Sequence, residues 1–180
     1  MHFAGDLTPT EAAAFWRLNL LNSDDLSRLS MRWIELGLQS DNVGALAAER
    51  VLTVREHGLW FEKALGELGA DAPASDEAAA WIVIRALLRA IVDGAVAPLA
   101  GASDVIHGIP YGTALFPLRN LAGDGKAFVG EELGIEKLWG LYYSHDEWGV
   151  DQDELARDIR LEAKRVLDEF YTHSPGAGAS

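Results

Sequence analysis

The chain has no cysteine among its 180 residues, and that absence removes several chemistries at once. A disulfide framework, a thiolate metal site and a cysteine nucleophile are all excluded. Basic residues are scarce as well. Fifteen Lys and Arg stand against 28 Asp and Glu, for a formal net charge of −13. A surface with that balance repels phosphate backbones and anionic lipid, because it releases no counterions from them. The expectation is no nucleic acid and no membrane among the partners. No apolar run approaches the roughly 18 residues that a membrane-crossing helix needs. The opening stretch, Met1-His2-Phe3-Ala4-Gly5-Asp6, lacks a basic region followed by an apolar one. No signal peptide is expected there, and the cytoplasm is the expected location.

What is present points to one fold class. Hydrophobic residues make up 49% of the chain and charged residues 24%, so there is enough apolar surface for a sizeable core. The six Trp, four Tyr and six Phe fall mostly at helical spacing, between clear start and stop signals. Thr8-Pro9-Thr10-Glu11 opens a first helix: Thr8 caps, Pro9 suits the first helical position and Glu11 completes a capping box. Ser23-Asp24-Asp25 opens a second, with Leu26, Leu29, Trp33 and Leu36 along one side and Gly37 as its stop. A shorter helix is predicted over 42–50, and another from the capping-box spacing of Thr53 and Glu56 to Leu68, stopped by Gly69. Ser75 caps the most hydrophobic helix, 76–92, which is apolar on every side until Arg85 and Arg89 reach the surface.

Residues 94–130 read differently. They hold seven glycines and three of the six prolines without a sustained period. Pro98 opens a short helix to Ile106, and the rest forms an irregular cover. Helix resumes over 128–143 and again from the cap Asp151 to about Tyr171, where Leu155, Ile159, Val166 and Phe170 face inward. The last residues, 174–180, form a flexible tail. The expected fold is therefore all-α: six to eight helices in a single domain spanning 1–173.

One stretch, Arg89 to Ala102, ends a helix at Asp93-Gly94 and starts the next at Pro98-Leu99-Ala100-Gly101-Ala102. It resembles a pattern in small acidic all-helical bacterial proteins of unassigned function, and Glu154 to Arg160 is similar to their final helix. The resemblance implies the helical fold and no chemistry.

Catalytic signatures are few. Gly123-Asp124-Gly125-Lys126 ends like a phosphate loop, but Ala127 stands where a hydroxyl must meet magnesium. Ser103 lacks the second glycine of a nucleophile elbow. His57, near Glu62, reads either as a general base or as an ordinary helix histidine. Arg85 and Arg89 read as an anion clamp or as paired surface arginines. A further constellation is His107, His145 and Asp146, with Asp104 earlier in the chain. Neighbouring His and Asp can ligate a divalent metal that acidifies water for phosphoester hydrolysis. On an all-helical scaffold that set resembles the HD-type metal phosphohydrolases, although the closing Asp falls much nearer than in that family.

The alternative is an interaction surface. From Asp124 to Glu154 there are nine acidic residues (Asp124, Glu131, Glu132, Glu136, Asp146, Glu147, Asp151, Asp153 and Glu154) against two basic ones, Lys126 and Lys137. Trp139, Tyr142, Tyr143 and Trp148 are interleaved with them. Aromatics give contact area at low entropy cost, and the carboxylates steer a basic partner towards them. The favoured expectation is a non-catalytic acidic protein without a cofactor, of the immunity or inhibitor type. It binds a basic protein partner through Tyr143, Asp146, Glu147, Trp148, Asp151 and Asp153. An exposed apolar stripe would equally serve a homodimer. The competing expectation is that these aromatics fill the core and the acids keep the protein soluble.

Overall fold

A computed structural model describes residues 7–48, 54–109 and 134–170. The fold is all-α. The described residues form eight α-helices and one short 3-10 turn, with no strand. In chain order the helices are α1 (Pro9–Arg17), α2 (Ser23–Glu35), α3 (Asp41–Ala48), α4 (Val54–Glu67), α5 (Asp76–Val92), α6 (Pro98–His107), α7 (Glu136–Tyr143) and α8 (Gln152–Phe170). The 3-10 turn, Ser144–Asp146, follows α7 directly. No helix among the described residues is long and apolar enough to cross a membrane. Two compact units are distinguished, one ending at Ala79 and the other beginning at Ala80.

In the first unit the local signals act as the sequence predicts. Thr8 Oγ1 accepts from the Glu11 amide at 3.3 Å, and the Glu11 carboxylate accepts the Thr8 amide at 3.0 Å, closing the capping box. The start of α2 differs. Its cap is Asn22, whose side chain accepts from the Asp25 amide, while Asp25 returns the bond to the Asn22 amide, both at 3.0 Å. Asp25 reaches back three positions, so the cap falls one residue earlier than Ser23. Leu36 is more than half exposed, because α2 ends at Glu35 and Gly37, at φ +82°, turns the chain away. Helices α2, α3 and α4 pack on one another and α1 packs on α4. Buried Trp33 stacks on Phe61 with ring centres 5.9 Å apart and donates its indole N–H to the Leu7 carbonyl at 2.8 Å. That bond satisfies the one polar atom of the largest core side chain. The predicted cap Thr53 lies outside the described residues.

The second unit holds most of α5 together with α6, α7 and α8. Along α5 the side chains of Val83, Ile84, Ala86, Leu87, Leu88, Ala90 and Ile91 are buried, and Arg89 is exposed, as the all-round apolar pattern predicts. Gly94, at φ +76°, ends the segment before Pro98 opens α6. Within α6, a Cβ on Gly101 would come within 2.4 Å of Ile91, so the glycine permits the close approach of α6 to α5.

Three expectations need correction here. The helix predicted over 128–143 does not run through 134–135: Gly134 sits at φ +69°, Ile135 is the cap, and α7 starts at Glu136. Left-handed backbone is incompatible with a continuing helix. Phe170, expected inward, is substantially exposed at the end of α8, with one ring edge against Gly134. Arg157 pairs with Glu154 at 3.2 Å instead of with Asp153. Both spacings are neighbours on a helix face, so the sequence alone does not choose between them. The irregular cover from 110 to 130 and the tail 174–180 lie outside the described residues.

Candidate functional site

The segment from α7 to the start of α8 carries the predicted surface residues. Among the described residues α7 packs on α6 and α8, with Leu138 buried. Its remaining aromatics form a cluster. Tyr142 and Tyr143 meet edge-on at 5.2 Å, Trp139 stacks on Tyr143 at 6.2 Å, and His107 of α6 meets Tyr142 edge-on at 5.3 Å. Tyr143 is half exposed. The 3-10 turn then redirects the chain, and Gly149 at φ +89° turns it again into α8.

Between those two turns Trp148 stands fully exposed, at 105% of its reference area. Asp146, Glu147, Asp151 and Asp153 are exposed beside it in sequence. Their roles differ. Asp151 caps α8, accepting from the Asp153 amide at 2.9 Å and the Glu154 amide at 3.2 Å. Asp146 lies 3.2 Å from His145 Nε2. No cation pairs with Glu147, Asp151 or Asp153 among the described residues. The six predicted surface residues therefore lie in one short exposed segment, and their carboxylates are largely unanswered among the described residues.

The metal trio does not assemble. His145 and Asp146 are adjacent, but His145 Nδ1 donates to the Tyr142 carbonyl at 2.6 Å, which fixes the ring. His107 is turned to the rings of Tyr142 and Tyr143. No three His, Asp or Glu side chains converge on a metal position among the described residues. His107, His145 and Asp146 thus stand in an aromatic cluster with one His–Asp contact. His57 is buried and its Nδ1 has no hydrogen-bond partner among the described residues, while Glu62 accepts the Trp16 indole N–H at 3.2 Å. No hydrogen bond joins His57 to Glu62 among the described residues. Ser103 lies inside α6, where no sharp turn exposes its hydroxyl.

A few residues further on, the same unit contains a carboxylate of opposite character. Glu162 of α8 is only 2% exposed. Arg165 Nη2 donates to it at 2.6 Å and Lys137 of α7 approaches to 3.2 Å. Burial pushes this carboxyl up. The hydrogen bonds and charges of Arg165 and Lys137 outweigh that and hold it below the usual glutamate value. Arg165 also pairs with Glu169, donates to the Gly134 carbonyl at 3.4 Å and lies 6.0 Å from the Phe170 ring centre. This group ties α8 to the start of α7.

Sequence reasoning missed one concave site, in the first unit. A groove of about 610 Å³ is lined by Ala13, Trp16, Arg17, Asn19, Glu62, Leu65, Gly66, Ala70, Ala72 and Pro73. These residues come from α1, the turn after it, α4 and the connection that follows α4. Among its lining residues Asn19 has left-handed backbone, φ +56°, which short polar Asn tolerates better than most residues, but that conformation is not legible in the sequence. Compared with known proteins, the chain matches no family model, no curated protein and no solved structure.

Proposed function

We propose that this chain is a non-catalytic acidic interaction protein that covers a cationic site on a basic protein partner, as an immunity or inhibitor protein does. The contact runs from Tyr143 to Asp153. The observation that carries this reading is Trp148, a fully exposed indole near Glu147, Asp151 and Asp153, with which no cation among the described residues pairs. A large aromatic held in water forgoes its burial energy, roughly 1.5–3 kcal/mol for a side chain of this size, and regains it when a partner covers it. The surrounding charge raises the rate of encounter with a basic surface, and the ring supplies the anchor.

The test is affinity capture on the immobilised full chain at low salt, followed by titration of the isolated complex. A partner of net positive charge is expected, bound more weakly as salt rises, shielding Trp148 from a soluble quencher. Glu147→Lys combined with Asp153→Lys is expected to abolish the complex. A partner retained undiminished by that double variant and by Trp148→Ala overturns the reading.

A further inference from the structure

The groove of the first unit is a second site, separate in residues from the acidic segment and independent of its proposed role. We propose that it binds an organic cation, an alkylammonium or quaternary ammonium group on a short apolar body. Its volume of about 610 Å³ suits a small molecule. The sign of the ligand follows from which charges are already answered. Arg17 donates Nε to Asp76 at 2.6 Å and Nη1 to the Pro73 carbonyl at 3.1 Å, so its charge is matched before any ligand arrives. Glu62 takes its hydrogen bond from a neutral donor, the Trp16 indole, and no cation among the described residues pairs with it. An anion would meet that carboxylate, and Arg17, the basic residue of the described lining, is already matched.

Trp16 is a fixed platform. Its six-membered ring lies against Gly58, where a Cβ would come within 2.9 Å, and its indole meets Phe61 edge-on at 5.6 Å. With the N–H also held by Glu62, the ring orients without loss of freedom on binding. Indole is the best of the aromatic faces for a cation, and a carboxylate beside it adds direct charge attraction. Leu65 and Pro73 supply apolar lining for the body of the ligand.

The experiment is titration of the full chain with choline, with its uncharged isostere in which carbon replaces nitrogen, and with butyrate. The readout is the Trp16 indole N–H resonance, identified by its loss in Trp16→Phe. Choline is expected to move that signal. The isostere and butyrate are expected to bind roughly tenfold more weakly or not at all. Glu62 is exposed, so Glu62→Gln leaves the fold intact, checked by circular dichroism, and is expected to weaken choline about fivefold. Asp76→Asn unmasks Arg17 and is expected to weaken choline while admitting butyrate. A peptide carrying trimethyllysine separates the sources of the cation: tighter binding than choline assigns it to a side chain, and equal or weaker binding to a free molecule. Either of those results upholds the cation site. Equal binding of choline and its isostere, indifference to Glu62→Gln, or a Trp16 signal that no probe moves overturns it.

Discussion

Two acidic regions lie within a few turns of each other in the second unit, and they use charge in opposite ways. Around Glu162 the carboxylate is buried, and Arg165 and Lys137 answer it from two helices. Around Trp148 the carboxylates are exposed and the indole has nothing over it. Both regions are rich in Asp and Glu, although 157–165 also carries four Lys or Arg and no aromatic, while 143–153 carries aromatics and no Lys or Arg. The difference is that Glu162 sits on the face of α8 that carries buried Ile159, Ala163 and Val166, whereas Trp148 lies between two turns on no packed face. A charge on a packed face has to be matched internally, because water is not there to solvate it. A charge between turns stays available to something outside.

The sharpest way to break that comparison is Arg165→Ala. It leaves Glu162 buried with Lys137 alone, and also removes the link to the Gly134 carbonyl. Breaking a fully buried pair costs about 3–5 kcal/mol. With Arg165 partly exposed and Lys137 retained, a loss of about 2–3 kcal/mol is expected in urea unfolding. A loss below about 0.5 kcal/mol would place Glu162 in the same class as the surface carboxylates.

A smaller effect is expected from pH. Because the folded carboxyl of Glu162 lies below the ordinary glutamate value, the unfolded chain takes up its proton first as pH falls. The stabilisation is complete above the ordinary glutamate range and is lost as pH drops through the lowered folded value. Melting temperatures of the natural chain and Glu162→Gln should therefore converge on acidification. A gap that stays constant down to the acid limit contradicts the pairing. The smallest effect is expected at the exposed region, where Trp148→Ala or Glu147→Lys should change unfolding free energy by less than about 0.5 kcal/mol. A loss above about 1 kcal/mol at Trp148 would show that the indole supports the fold after all.

Much of the fold was legible because its signals are local. Thr8 and Glu11 close a box over three residues, Ser75 accepts from the Ala78 amide at 3.0 Å, and Gly69 stops α4 at φ +66°. The limits of α5 and the start of α6 at Pro98 follow the same logic. The error over 128–143 is also instructive: Gly134 has the backbone freedom to stop a helix, yet the aromatic spacing on either side reads as continuous. The candidate sites were legible only in part. The acids and aromatics of 143–153 stand together in the chain, so their proximity needed no folding. The groove draws on α1, the turn after it, α4 and the connection after α4, and no pattern within a short window announces it. The surroundings of His107 and His145 were not legible for the same reason, since they depend on how α6 meets α7.

The sequence by itself determined that this protein is helical, acidic and without thiol chemistry, because caps, periodicity and net charge are properties of neighbouring residues or of composition. Only the tertiary structure decided which carboxylate is buried, which indole faces water and where a cavity opens. Those outcomes depend on which helix faces meet. Contacts between residues tens of positions apart are set by packing of whole elements, and no local run of residues carries that information.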